Sequence, residues 1–306
     1  MNTELLKLIY EKYQANNQDP ETFLKGVIHN KPVNYWEYVE VNTLLSLQKT
    51  RTGFKDEFIF IVYHQITELV LRLIMHELEQ LTDPETKKDD AVFADKVGRI
   101  DRYTDLLIGS FSIMNKGLDY DQYNQFRLSL APASGFQSAQ FRLIELYCTG
   151  IDNLINERSK ALMPADCKLE DKFNYVYWQE AGMDRNTGKK TVTLLEFEKE
   201  YLPRFIQTAQ KLEPHNLYQQ SLKMERENKL TPELREALRK LDHKFNIAWP
   251  MVHLETAHTY LAQKGQPIAA TGGSHWVKYL HPKYQRRIFF PNLWSEEELA
   301  NWAHEG

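Results

Sequence analysis

The stretch DEFIFIVYHQITELVLRLIMHELEQL, residues 56–81, decides the fold. Its first part, residues 58–63, would by itself suit a buried strand. The apolar pattern nevertheless continues to residue 81 without a glycine or proline, which is several times the usual length of a strand. The stretch therefore predicts one α-helix of about seven turns. Apolar residues surround its middle, which predicts contacts with neighbours on most sides.

The helical spacing of apolar residues continues through the rest of the chain. It predicts helices over residues 5–13, 34–48, 90–115, 120–130, 138–157, 169–180, 193–212 and 231–264, the last bent or interrupted at Pro250, and a short final helix capped by Ser295. Residues 182–190 are polar and contain glycine, which is typical of a loop. The chain has only 13 glycines and 12 prolines among 306 residues, which disfavours a turn-rich all-β fold. We therefore expect a single all-α domain, residues 1–306, of about ten helices.

Composition and charge exclude several classes of protein. The net charge is −4 and no basic block is present, whereas nucleic-acid binding depends on clustered lysine and arginine. The two cysteines, Cys148 and Cys167, do not form a CxxC motif, which argues against a zinc ribbon or a thioredoxin-like site. The N-terminus lacks the apolar core of a signal peptide, and the longest apolar run, residues 58–63, is far shorter than a membrane span. We expect a soluble, cytoplasmic protein that binds neither nucleic acid nor membrane.

Two histidines are candidates for a functional role, and each also has an ordinary structural interpretation. His64 lies in the long apolar helix, with Phe60 one turn before it and Glu68 one turn after it. It either faces a ligand or is a core histidine bonded to a carbonyl or to Glu68. The spacing of His64 and Glu68 would also suit a metal site, but a single pair of this kind is weak evidence for one. His253 and His258 cannot share a helix face, because five residues turn a helix through about 140° net. At most one of them faces a given cavity, where a neutral imidazole would suit iron.

Three further segments suit the polar end of a ligand. Tyr123 and Arg127 are four residues apart on one predicted helix face, and a guanidinium beside a hydroxyl is a good receptor for a carboxylate. The Ser134-Gly135 turn precedes a predicted helix, where free amides attract anions. Thr271 offers a hydroxyl beside two glycines that allow close approach of a ligand. A surface arginine, an ordinary turn and a flexible loop are the corresponding structural alternatives.

Taken together and in order, these segments resemble the tryptophan 2,3-dioxygenase family. The segments that carry the resemblance are YWEY (35–38) and LLSLQ (44–48), FIVYHQITEL (60–69) with HEL (76–78), FR (126–127), SGFQS (134–138) with QFR (140–142), Trp249 with His253, and TGGS (271–274). The resemblance extends from about residue 35 to residue 294. By contrast, the HExxH, GxGxxG, P-loop and GxSxG motifs are absent, so nothing indicates zinc hydrolysis or phosphate transfer.

The resemblance implies an all-α haem-b fold that assembles as a homotetramer, with one haem per subunit. It implies that both atoms of O2 enter the indole ring of L-tryptophan to give N-formylkynurenine, the first step of the kynurenine pathway. His253 would be the axial iron ligand, with Ser134 and Gly135 beside the haem. The implied substrate contacts are Phe60, Ile61, Val62, Tyr63, His64, Tyr123, Arg127 and Thr271, and His64 would be the catalytic residue that accepts a hydrogen bond from the indole N–H. The N-terminal segment, to about residue 48, would contact a neighbouring subunit.

The loop around Thr271 departs from the family pattern. The usual Gly-Thr-Gly-Gly-Ser-Ser-Gly becomes ATGGSHW, residues 270–276, and residues 266–267 lie in a longer connection before it. These changes keep two alternatives open. One is a related haem oxygenase that inserts a single oxygen atom into another indole or aromatic amino acid. The other is a non-catalytic protein that binds haem or tryptophan.

Overall fold

The structure, a computed structural model, describes residues 3–86, 89–130, 135–184, 187–261 and 281–303. Its α-helices are α1 (Thr3–Ala15), α2 (Pro20–Ile28), α3 (Tyr35–Tyr38), α4 (Val41–Leu44), α5 (Asp56–Thr82), α6 (Asp90–Gly117), α7 (Tyr120–Phe126), α8 (Ala139–Cys148), α9 (Glu157–Leu162), α10 (Leu169–Lys172), α11 (Val192–Leu212), α12 (Leu217–Arg226), α13 (Pro232–His243), α14 (Trp249–Leu261), α15 (Pro282–Gln285) and α16 (Glu296–Ala300). Short 3-10 turns cover Arg127–Leu130, Gly135–Gln137, Ile151–Leu154, Tyr177–Gly182 and Pro291–Leu293, and a π-helical turn covers Lys244–Ala248. Across these ranges the only β pairings are two isolated bridges, so the predicted all-α class is confirmed.

The chain divides into two compact units, Met1–Lys49 and Thr50–Gly306. The boundary falls beside the end of the segment that the resemblance assigns to a neighbouring subunit. Within the first unit, the helix predicted over residues 34–48 is instead two short helices, α3 and α4. Glu40 between them has a left-handed backbone conformation, with φ of 54°, and this conformation interrupts a right-handed helix. The assignment of residues 1–306 to a single domain stays a prediction.

Helix α5 confirms the long helix predicted from the sequence and packs against α6, α7 and α8 in the second unit. Its C-terminal half contributes Leu71, Ile74 and Leu78 to the main hydrophobic core, where each is completely buried. By length and composition, α5 is the one described helix that could cross a membrane, with a mean hydropathy of 1.6 over its most apolar window. A long core helix has the same composition; Leu71, Ile74 and Leu78 are buried in the core, while 28% of the apolar window as a whole is buried within the chain.

The predicted helices over residues 138–157 and 169–180 are also interrupted in the structure. The helix expected over residues 138–157 ends at Cys148, because Thr149 is extended, and α9 begins only after Asn156. The side chain of Asn156 accepts a hydrogen bond from the backbone N–H of Ser159, which is a standard helix start. The helix expected over residues 169–180 is likewise divided into α10 and a 3-10 turn. At the C-terminus, the capping box between Ser295 and Glu298 is confirmed.

A buried carboxylate anchors the region that precedes α14. Asp242, at the end of α13, is completely buried. It accepts hydrogen bonds from the backbone N–H groups of Phe289 and Phe290, at 2.8 and 3.0 Å. It also accepts from the indole of Trp294 at 3.0 Å and from the amide of Asn246, in the π-turn, at 2.7 Å. Burial raises the pKa of Asp242 above its ordinary value, and these four donors offset only part of that rise. The carboxylate therefore joins α13, the π-turn and the C-terminal segment directly ahead of α14.

The start of α5 is held by two acidic side chains. Glu57 is completely buried and accepts hydrogen bonds from the backbone N–H groups of Arg51 and Thr52, both at 2.7 Å, and from the Thr52 hydroxyl. Asp56 accepts from the N–H of Asp119, and the Asp56 N–H donates to Gln122 Oε1. Reciprocal bonds thus fix the beginning of α5 against the beginning of α7.

Replacing Glu57 with glutamine is expected to remove part of the acid sensitivity of the fold. Burial raises the pKa of Glu57, but the Thr52 and Arg51 hydrogen bonds outweigh it, and the net pKa lies below its usual value of 4.5. A lowered pKa in the fold contributes stability above the unfolded pKa, and this contribution is lost as the pH falls through the folded pKa. The wild type should therefore be more stable than Glu57→Gln at neutral pH, with the difference shrinking below about pH 4.

Urea unfolding from about pH 7 to about pH 3 measures this difference in free energy of unfolding. Glu236→Gln, at an exposed position of α13, is the matched control and should follow the wild type throughout. A Glu57→Gln difference that stays constant with pH would show that ionisation of Glu57 does not stabilise the fold.

Candidate functional site

An aromatic cluster joins four helices, α5, α6, α7 and α14, in the second unit. Its buried members are Tyr63, Phe111, Met114, Leu118 and Tyr260, and its half-buried members are Ile59, Phe60, Tyr120, Tyr123, Trp249 and Val252. The cluster is separate from the main core, which lies around the C-terminal half of α5. It brings residues near 60, 120 and 250 of the sequence into one place. The predicted ligand residues of α5, α7 and α14 therefore lie around a common centre.

His64 lies in this cluster with a defined tautomer. Its Nδ1 is 2.7 Å from the carbonyl oxygen of Phe60; a carbonyl only accepts, so Nδ1 carries the proton and Nε2 presents a lone pair. The His64 ring packs on Phe60 with 4.1 Å between centroids and meets Tyr63 edge-on at 5.2 Å. The side chain is exposed, yet burial by surrounding protein lowers its pKa. The Nε2 of this exposed imidazole can accept a hydrogen bond from a ligand.

His64 does not depend on Glu68 for its hydrogen bond. The Glu68 carboxylate accepts from the Gln140 amide at 2.8 Å, although its charge still raises the pKa of His64 slightly. Among the residues that the structure describes, no group of three or more histidine, cysteine, aspartate or glutamate side chains could hold a metal ion. The alternative of a His64/Glu68 metal pair therefore has no third ligand within these residues.

His253 lies on α14 and contacts the same cluster through Phe111. The two ring centroids are 5.5 Å apart, and Phe111 also packs against Tyr63 at 5.7 Å. Burial, and to a smaller extent the neighbouring His64, lower the pKa of His253 to about 4. His253 is therefore neutral near pH 7, which is the state that binds iron. His258 is exposed, as expected for a residue on a different face of the same helix.

Of the remaining α5 residues named by the resemblance, Phe60 and Tyr63 belong to the aromatic cluster, and Ile61 and Val62 do not. Phe60 contacts His64, and its ring lies 6.2 Å from that of Tyr123. Tyr63 is buried, and burial raises its pKa to about 12. Ile61 and Val62 are half-buried. Two residues turn a helix by about 200°, so Val62 lies roughly 160° from His64 and does not share its face.

Arg127 is 4% exposed and lies where α7 passes into a 3-10 turn. Its backbone N–H donates to the carbonyl of Tyr123, so the helical spacing of these two residues persists as predicted. The Nε–H of its guanidinium donates to Asn124 Oδ1 at 2.9 Å. Tyr123 itself packs on Tyr260 of α14, with 4.8 Å between centroids. A buried cation therefore lies beside the aromatic cluster. It is carried by α7, whereas the two histidines are carried by α5 and α14.

Of the predicted contact segments, the Ser134-Gly135 turn lies partly outside the described residues and the Thr271 loop lies entirely outside them. Ser134 and Thr271 are not among the described positions, and neither are residues 270–276 of the altered loop. Gly135 is described and is exposed at the start of the Gly135–Gln137 turn. Ser138 follows this turn and caps α8 by accepting from the N–H of Phe141 at 3.3 Å.

The residues present fit a haem group. Haem b combines an iron that binds a neutral imidazole, an apolar ring and carboxylate side groups. His253 supplies the imidazole, and the rings of Phe60, Phe111 and Tyr63 supply apolar walls. The indole Nε1 of Trp249, one turn before His253, is buried without a hydrogen-bond partner in the described part of the chain. A buried N–H of this kind is normally paired, and a carboxylate is a suitable partner for it.

Three residues of this site were not identified from the sequence. Phe111 belongs to a regular apolar stripe of α6, which identifies it as buried but not as the ring between Tyr63 and His253. Asn124 is polar and lies between Tyr123 and Arg127 in the sequence, three residues before Arg127, yet spacing alone gives it no role. Tyr260 is one of 16 tyrosines, and nothing local distinguishes it.

Comparisons with known proteins agree with the resemblance found in the sequence. The family described as tryptophan 2,3-dioxygenase matches residues 25–231. Tryptophan 2,3-dioxygenase of Geobacillus thermodenitrificans is 28% identical over 292 residues, covering 92% of this chain and 98% of that protein. The enzyme of the same name from Bacillus thuringiensis subsp. konkukian is 30% identical over 277 residues, covering 86% of this chain and 91% of the relative. The chain belongs to the tryptophan 2,3-dioxygenase family.

Proposed function

We propose that this protein is a haem-dependent oxidoreductase that opens the indole ring of L-tryptophan with O2 to give N-formylkynurenine, the first step of the kynurenine pathway. The observation that carries the proposal is the arrangement around one aromatic cluster. His253 is neutral, His64 presents an accessible Nε2, and Arg127 is buried and bonded through its backbone to Tyr123 of the cluster. These are the iron ligand, the indole acceptor and the carboxylate receptor that the reaction needs.

The side chains of this chain orient the substrate. Arg127 binds the carboxylate, with Tyr123 beside it, since a guanidinium can donate to both oxygens at once. His64 Nε2 accepts a hydrogen bond from the indole N–H, because its Nδ1 is already committed to the Phe60 carbonyl. Phe60 packs against the indole face and excludes water. Haem, bound through His253, supplies the iron at which O2 is activated. Thr271, Ser134 and Gly135 are proposed to complete the pocket.

The number of oxygen atoms inserted tests this function. Ferrous haem-loaded protein is mixed with L-tryptophan and isotopically labelled O2, and the product is analysed by mass spectrometry. Two labelled atoms in N-formylkynurenine are expected. A product with one labelled atom would instead establish the single-oxygen alternative, and tight tryptophan binding without any product would establish the non-catalytic one.

We further propose that the protein is a cytoplasmic homotetramer. The support for assembly is an apolar surface that the chain itself leaves uncovered: α5 is strongly apolar, yet only 28% of its most apolar window is buried within the chain. Phe58, Leu69 and Leu73 are each about half exposed on this helix, and Leu106 is 53% exposed on α6. Phe58, Leu69 and Leu73 fall within about 60° of one helix face, and an exposed apolar face of this kind is typical of a subunit interface. Tyr35 and Tyr38, at 74% and 81% exposure, are the proposed contacts of the N-terminal segment with a neighbouring subunit.

A further inference from the structure

We propose that Asn124 is a positioning residue that fixes the Arg127 guanidinium to the helix carrying His253, and thereby sets the preference for substrates with a carboxylate. The proposal rests on the proposed function, because it concerns the same ligand. It assigns a role to a side chain that lies between Tyr123 and Arg127 and that does not itself touch the substrate.

The first contact is with Arg127. Asn124 Oδ1 accepts from Arg127 Nε at 2.9 Å, and Arg127 is buried. A guanidinium is planar, so a bond at Nε fixes the direction of its two terminal nitrogens. Without this bond the guanidinium would lose one of the contacts that set its direction, and orienting it again upon binding would weaken the complex.

The second contact is with α14. Asn124 Nδ2 donates to the carbonyl of Tyr260 at 3.3 Å and to the carbonyl of Tyr120 at 3.0 Å. Tyr260 is itself fixed: it is 3% exposed, and its hydroxyl donates to the carbonyls of Met114 and Leu118. Tyr260 follows His253 by seven residues, which is two turns and returns to nearly the same helix face. The amide thus connects the carboxylate receptor to the face of α14 that carries His253.

Only an amide of this length satisfies both contacts. Oδ1 must accept from a cation, while Nδ2 must donate to two carbonyls, and this also fixes which atom of the amide is which. Leucine has a similar shape but neither function. Aspartate would keep the acceptor and direct a carboxylate oxygen at the carbonyl of Tyr260.

The consequence concerns the carboxylate of the ligand and not its indole. Loss of Asn124 should weaken binding of L-tryptophan by about tenfold or more, the scale of one hydrogen bond to a charged group. Binding of tryptamine, which has the same indole but no carboxylate, should change less than twofold or so, because its contacts do not include Arg127.

Titration calorimetry of haem-loaded protein with L-tryptophan and tryptamine tests the proposal. The variants are Asn124→Leu, with Asn124→Ala as a second replacement should leucine not fit, Arg127→Ala and the double variant. Gln125→Leu, at the neighbouring exposed position of α7, is the matched control and should bind both ligands as the wild type does. In the Arg127→Ala background, the Asn124 replacement should have no further effect, since the interaction that it supports is already absent.

Two results would overturn the proposal in different ways. If the wild type binds L-tryptophan and Asn124→Leu weakens both ligands equally, or weakens L-tryptophan equally with and without Arg127, then Asn124 has a general structural role only. If the wild type binds no L-tryptophan with full haem occupancy, the proposed function fails and this inference fails with it.

Discussion

Replacing His253 with alanine is expected to give a folded protein that does not retain haem. His253 is the neutral imidazole of the site, with a pKa lowered to about 4 by burial and, to a smaller extent, by His64. It approaches the aromatic cluster from α14, where its ring lies 5.5 Å from that of Phe111. Alanine removes the proposed iron ligand and leaves the apolar walls, and these alone would hold a porphyrin much more weakly than a coordinate bond does.

The measurement is the Soret absorbance per protein after reconstitution with haem, with circular dichroism to establish folding. His258→Ala is the matched control, because His258 lies on the exposed face of the same helix and its loss should leave haem bound. His64→Ala should also keep haem but lower the rate, since its Nε2 is assigned to the indole. Haem loss in His64→Ala together with retention in His253→Ala would mean that the two histidines have the opposite roles.

The sequence predicts well those features that depend on neighbours along the chain. The apolar run of residues 56–81 becomes α5 within one residue, because its length and lack of glycine exclude a strand. The capping box at Ser295 also forms as predicted. The Tyr123 and Arg127 pair keeps its helical spacing, although α7 ends at Phe126. In each case the deciding interactions are separated by four residues or fewer.

Features that depend on distant contacts are not predictable in this way. The helix break before Pro250 is a π-turn over Lys244–Ala248, and Asn246 within it is held by Asp242, which in turn binds backbone groups near residue 290. No local pattern specifies that set of bonds. The site has the same property: the rings of Tyr63 and Phe111 connect His64 to His253, and Asn124 bonds to a carbonyl 136 residues away. Spacing identified the histidines as candidates, and the resemblance to a family was needed to pair them.

Replacing Arg127 with alanine is expected to give the second large effect, a loss of kcat/KM of at least about 30-fold, or roughly 2–5 kcal/mol, for L-tryptophan. Arg127 is 4% exposed, so its interaction with a carboxylate is little weakened by water. Most of the loss should appear in KM, because the carboxylate is held equally in the ground state and the transition state. A smaller loss of kcat should accompany it, since a loosely held indole spends less time in the orientation fixed by His64.

Steady-state rates with L-tryptophan over a range of concentrations give KM and kcat separately. Arg127→Lys should recover part of the loss, because lysine restores the charge but not the planar two-point contact. Arg102→Ala, at an exposed position of α6, is the matched control for removing a positive charge and should be kinetically silent. If Arg127→Ala were also silent, the carboxylate would have to be bound elsewhere. The buried guanidinium would then be a structural element of α7, and the preference for an amino acid substrate would depend on residues beyond this cluster.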